Sequence, residues 1–190
     1  YASVYGQPND HDEVFVPGAF YDAVAAVTPE RPIPIGWLHR EVIGRWSSLA
    51  DEEQGLRVEG QISDTTKGRD ASVLLRDGCL TGLSVGYWPE EYLFADAGQR
   101  ITVDTRYGQR SYVFDQPVMY VIRASLYEIS VVTAPSDDQA RVALVRSRDE
   151  AAKARRALPA LADDASWEDA AYSMALLMGA RSGRPAFADL

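Results

Sequence analysis

From residue 1 to about residue 145 the chain is a succession of short β-branched and aromatic runs, each cut off by glycine, proline or a polar cluster. Runs of this kind read as strands, and many short ones in series suit a sandwich or barrel. Residues 2–5 form the first. Residues 14–16 meet Pro17-Gly18, a turn signal. Residues 33–39 are expected to be extended, because Pro32 and Pro34 disfavour helical backbone before them. Residues 42–49 and 56–62 read as a hairpin joined by Asp51-Glu52-Glu53-Gln54-Gly55. In its second strand Leu56, Val58, Gly60 and Ile62 share one face while Arg57, Glu59 and Gln61 share the other, a wall with one wet side. Residues 80–88, 100–105, 111–114, 118–122 and 126–133 continue the series, with 141–145 as a further candidate. Two short helices interrupt it. In residues 19–27, Phe20, Val24 and Val27 recur at helical spacing. Residues 64–77 offer Asp64 or Thr65 as a cap, Ala71, Leu74 and Leu75 as an apolar stripe and Gly78 as a stop. The expected fold is mainly β with peripheral helices, a closed or nearly closed β-barrel with the helices packed outside.

Near residue 145 the texture changes to alanine-rich sequence, which divides the chain into a β-barrel domain, 1–145, and a helical C-terminal tail, 146–190. Residues 147–158 and 166–179 are the tail's helical stretches. The second opens on Ser166 with Asp169 three positions later, close to a capping box, and carries Trp167, Ala170, Ala171, Met174 and Met178 on one face. Such a face needs a cover, either the barrel or another chain. The chain begins at Tyr1 and its methionines are Met119, Met174 and Met178, so it is expected to be a fragment or a processed product.

Charge and composition remove several classes of function. With 19 basic against 28 acidic residues the net charge is −9, which argues against electrostatic nucleic-acid binding. No apolar run approaches the roughly 18 residues that a membrane span needs. Cys79 is the single cysteine, so neither an intrachain disulfide nor a multi-cysteine zinc site is available, and it is expected to be buried as a small hydrophobe. His11 and His39 are the two histidines, too few for a histidine-rich metal centre.

Three residues stand out chemically, each with a plain reading beside the functional one. His39, in Gly36-Trp37-Leu38-His39-Arg40, is a general base or a strand-end histidine satisfied by a carbonyl. Ser84, in Thr81-Gly82-Leu83-Ser84-Val85-Gly86-Tyr87, is a nucleophile or a small polar residue on a barrel wall. It is no strand-to-helix elbow, since Val85, Tyr87 and Trp88 continue a strand. Alternation places Ser84 with Gly82 and Gly86 on a face bare of side chains, a strip along which an extended peptide could lie. Glu128, in Leu126-Tyr127-Glu128-Ile129-Ser130-Val131-Val132, is an acid in an apolar strand, costly unless paired or wet. It shares a face with Ser130. The chain order His39, Ser84, Glu128 fits none of the chymotrypsin, subtilisin or α/β-hydrolase orders.

Six segments in order resemble the prohead (capsid maturation) proteases of tailed bacteriophages, which are related in fold to herpesvirus assemblin. They are Asp12-Glu13-Val14-Phe15-Val16-Pro17-Gly18-Ala19-Phe20, Trp37-Leu38-His39, Val42-Ile43-Gly44, Gly55-Leu56-Arg57-Val58-Glu59-Gly60, Gly82-Leu83-Ser84-Val85-Gly86-Tyr87 and Glu128-Ile129-Ser130-Val131-Val132. The resemblance implies an assemblin-like closed β-barrel and a serine endopeptidase. It carries the catalytic histidine over to His39 and the nucleophilic serine to Ser84. Assemblin's third member is a second histidine after the serine. No histidine follows His39 here, and Glu128 is the candidate for that role. The implied substrates and partners are the major capsid protein with its scaffold segment and the protease itself, by autocleavage and as a possible homo-oligomer. The implied place is the procapsid in the cytoplasm of the bacterial host. Neither metal nor cofactor, nucleic acid nor membrane is implied. The rival reading is a catalytically silent capsid-assembly or scaffold protein on the same barrel.

Overall fold

A computed structural model describes residues 1–147 of the chain. The helical stretches expected in the tail lie outside the described residues. The fold is mainly β, in the order β1 (Ser3–Val4), β2 (Glu13–Phe15), α1 (Tyr21–Ala25), β3 (Pro34–Trp37), β4 (Glu41–Glu52), β5 (Gly55–Ile62), α2 (Thr66–Arg76), β6 (Gly82–Ala95), β7 (Ile101–Thr105), β8 (Gly108–Tyr112) and β9 (Val118–Val132). The main sheet runs β1-β5-β4-β3-β9-β2, with β6 paired to β9. Its two ends approach each other. The Gly6 N–H, just beyond β1, donates to the Phe15 carbonyl of β2 at 2.9 Å, so the barrel is nearly closed.

Strand β9 organises the sheet. Along one edge it runs antiparallel to β6. Along the other edge its first part pairs in parallel with β2, Val14 opposite Tyr120, and its last part pairs in parallel with β3, Gly36 opposite Ser130. Two strands were expected here, broken at Arg123-Ala124-Ser125, and the structure runs through the break. Arg123 leaves its guanidinium half exposed against Glu90 and Glu91, so its charge interrupts the apolar pattern without interrupting the ladder. The irregularity is taken up by register shifts opposite Gly86, Pro89 and Glu91. Pro89 is tolerated because, among the described residues, no strand pairs with β6 on its other side at that position.

Period-two alternation divides the buried residues between two clusters. Phe15 and Val121 face the main core with Phe20, Ile35, Ile43, Leu56, Leu83, Ile129 and Val131. Their neighbours Val14, Val118 and Tyr120 face the other way and pack with Val103, Tyr112 and Phe114 around the β7–β8 hairpin. That part of the sheet is therefore covered on both faces. Phe20, fully buried, is worth roughly 2–3 kcal/mol of burial and stacks on Phe15 at 5.1 Å.

Helix α2 is as expected in its ends. Thr65 Oγ1 accepts from the Gly68 N–H at 3.0 Å, and Gly78, at φ 73°, lets the chain leave. Cys79 corrects the expectation of burial: it is exposed in the loop beyond α2, held there by its N–H donating to the Leu74 carbonyl at 2.8 Å. The candidate strand at 141–145 reduces to one bridge between Arg141 and Gly82. Among the described residues no helix is long and apolar enough to cross a membrane.

Candidate active site

Three neighbouring strands put one residue each in a row. Ser84 of β6 lies opposite Ser130 of β9, which lies beside Gly36 of β3. Two positions back along β9, on the same face, is Glu128, opposite Gly86. The opposite face carries Leu83, Ile129 and Val131 into the core, so hydrophobic burial fixes which way the polar row points.

His39 comes from the tight turn that joins β3 to β4. The extended backbone expected through residue 39 ends at Trp37, because Trp37 pairs with Glu41 and only three residues remain to reverse the chain. Leu38 and His39 adopt left-handed backbone, φ 53° and 57°. For non-glycine residues this costs roughly 1–2 kcal/mol each. Hydrogen bonds hold the turn. The Leu38 N–H donates to the Val131 carbonyl at 3.1 Å, the Arg40 N–H to the Trp37 carbonyl at 3.2 Å and the His39 N–H to Ser130 Oγ at 3.2 Å. Strain of this kind collects at functional sites, where surrounding contacts over-determine it.

From this turn the His39 ring reaches Glu128, Nδ1 bonding to Oε1. The other carboxylate oxygen, Oε2, accepts from Ser130 Oγ at 3.2 Å. The Glu128 side chain is 18% exposed and that of His39 43%, so the carboxylate is largely withdrawn while the ring keeps an open edge. A carboxylate on Nδ1 fixes the proton there and leaves Nε2 as the acceptor. His39 and Ser84 line the same cavity of about 270 Å³, together with Glu13, Gly86, Tyr87 and Tyr127. The three residues singled out in the sequence are thus brought to one place, with Glu128 bonded to the histidine.

The strip expected to be bare beside Ser84 is covered. A Cβ on Gly86 would come within 2.6 Å of Glu128 Cγ and of the Tyr127 ring, and one on Gly82 within 2.6 Å of Pro135. These glycines admit neighbouring side chains, and Gly86 in particular admits the acid. Tyr127 is the extra residue of a bulge, since Gly86 pairs with Glu128 and Tyr87 with Leu126. Other contributors carried no signal for this role. Tyr87 closes the cavity wall by donating its hydroxyl to Glu13 Oε1 at 2.6 Å, and Asn9 Nδ2 donates to Glu13 Oε2 at 2.9 Å. Burial and the Glu13 carboxylate both push the Tyr87 hydroxyl well above its usual range, so it serves as a neutral donor. His11 also lines the cavity.

The family model described as caudovirus prohead serine protease matches residues 1–155. The chain belongs to the caudovirus prohead serine protease family. Within this family, it is 30% identical over 155 residues to the prohead protease of Enterobacteria phage HK97, an alignment covering 78% of this chain and 60% of that protein. The chain therefore spans less than two thirds of the length of that protease. No solved structure matches it.

Proposed function

We propose that this chain is a serine endopeptidase of phage head maturation, with residues 1–145 as the protease domain, Ser84 as nucleophile, His39 as general base and Glu128 as the acid that holds the imidazole. It would act on scaffold segments of the major capsid protein, and on itself, inside the procapsid. The observation that carries this reading is the His39–Glu128 bond at the edge of the cavity that Ser84 also lines.

In the proposed reaction His39 Nε2 takes the Ser84 hydroxyl proton as Oγ bonds to the scissile carbonyl carbon. The imidazolium, stabilised by the Glu128 carboxylate, returns that proton to the leaving amine as the C–N bond breaks. Water then repeats the sequence on the acyl-serine, freeing the acid. Backbone N–H groups supply the oxyanion hole, each donor worth roughly 3 kcal/mol. A silent assembly protein on the same barrel would have no need for a left-handed histidine tied to a half-buried acid beside a serine-lined cavity.

The test is co-expression with the capsid substrate. Ser84→Ala and His39→Ala should each leave it unprocessed with the fold intact, because the two act as one unit. The unmodified protein, and not Ser84→Ala, should label with a fluorophosphonate probe. Normal processing by Ser84→Ala would overturn the assignment.

A further inference from the structure

Ser130 is completely buried, one residue removed on the sheet from both Ser84 and Gly36. A serine hydroxyl offers one donor and two acceptor sites. In Ser130 the donor goes to Glu128 Oε2 at 3.2 Å, and an acceptor site takes the His39 N–H at 3.2 Å. One hydroxyl thus touches the main chain of the histidine and the side chain of the acid. The space it occupies exists because residue 36 has no side chain, since a Cβ there would lie 1.9 Å from Ser130 Oγ.

We propose that Ser130 is a positioning residue that sets the mutual orientation of His39 and Glu128, an inference that rests on the reading of Ser84, His39 and Glu128 as the reacting group. Its donated bond pins Oε2, which leaves Oε1 turned to the imidazole. Its accepted bond anchors the left-handed turn from which the imidazole projects. Because Glu128 and Ser130 are two apart on one strand, their separation is set by the backbone, so the acid and its anchor move together. Full burial keeps Ser130 from acting as a second nucleophile. A hydroxyl needed only for core packing would have no reason to bond both members of the pair.

The experiment uses the full chain. Ser130→Ala and Ser130→Cys, the second close in shape but a weaker donor, are compared with Glu128→Gln on a fluorogenic peptide taken from the processed capsid junction. Ser130→Ala should lower kcat about 10- to 100-fold with KM changed less than about twofold, the scale of loss that misplacement of a reacting group brings. Ser130→Cys should fall between. In the Ser84→Ala background, which cannot digest itself, the downfield proton signal of the His39 ring N–H should move or broaden in Ser130→Ala. If Glu128→Gln lowers kcat while both Ser130 variants keep the parent kcat and ring signal, the positioning role is overturned and the triad stands. If Glu128→Gln itself leaves kcat unchanged, the triad reading fails, and this inference with it. Should Ser130→Ala not fold, Ser130→Cys decides by the same two readouts.

Discussion

Gly36→Ala perturbs the candidate site through a buried glycine that does not line the cavity. The new methyl carbon would lie 1.9 Å from Ser130 Oγ, 3.2 Å from Ser130 Cβ and 2.6 Å from Glu128 Oε2. Carbon and oxygen do not approach so closely, and two different side chains are struck at once. The least costly relief turns the Ser130 hydroxyl away and withdraws the Glu128 carboxylate. The His39 N–H then loses its acceptor and Nδ1 its partner. Overpacking costs about 1–3 kcal/mol, and loss of the bond from the partly exposed His39 N–H adds about 0.5–1.5 kcal/mol. At roughly 2–4 °C per kcal/mol for a chain of this size, the melting temperature should fall by several degrees. The kinetic loss should lie between the ~10²-fold of a misplaced group and the ~10⁴-fold of a lost triad acid. Gly78→Ala is the control. Its φ of 73° strains any side chain, yet nothing lies within 4 Å of the added methyl. It should cost about 1–2 kcal/mol and nothing in rate. The assay is peptide hydrolysis at saturating substrate beside a thermal melt for each variant. A Gly36→Ala protein with the parent kcat would refute the geometry on which the site is built, whatever its stability.

Other outcomes follow from the same contacts. Glu128→Gln should keep the fold and slow acylation by up to about 10⁴-fold, read as the burst rate on an activated ester; an unchanged burst would return Glu128 to the status of a surface acid. Burial pushes the Asp51 carboxyl above its ordinary range, against the opposing effects of the Tyr5 hydroxyl bonded to it and the charge of Arg106. The folded state therefore holds that proton more tightly than the unfolded chain, so this contribution to stability is complete below the ordinary carboxylate range and is lost as pH rises through the raised value. Asp51→Asn, which keeps an acceptor for Tyr5, should melt higher than the parent at neutral pH and no higher in acid below that range. An equal difference at every pH would show that the carboxyl does not titrate abnormally.

Much of this arrangement was legible because it depends on patterns the backbone imposes. Alternation in 126–133 correctly separated Glu128 and Ser130 from Ile129 and Val131, and the cap and stop of α2 are local chemistry. What stayed hidden depends on contacts between distant segments. Arg123 reads as a break in a strand until Glu90 and Glu91 are brought beside it. Gly86 reads as an opening for a ligand, since nothing in 82–87 reveals that Glu128 fills it. Leu38 and His39 read as extended because their left-handed turn follows from the pairing of Trp37 with Glu41, and leucine does not advertise that conformation. Cys79 reads as buried from the habit of its residue type, whereas the end of α2 places it outside.

The position of β9 between β3 and β6 also bears on timing. His39, in the turn that ends β3, and Ser84, on β6, belong to strands that do not pair with each other, and the strand that joins those two is made last of the three. While the ribosome is still translating residues 85–132, the nascent chain carries the histidine and the serine without the acid or the platform between them. At about 5–20 residues per second that interval lasts roughly 2–10 seconds. Throughout it the two groups have no common surface on which to meet. On the proposed reading, in which the protein cuts its own kind, this order of synthesis supplies a period of enforced inactivity that ends only when its last long strand slides into the sheet.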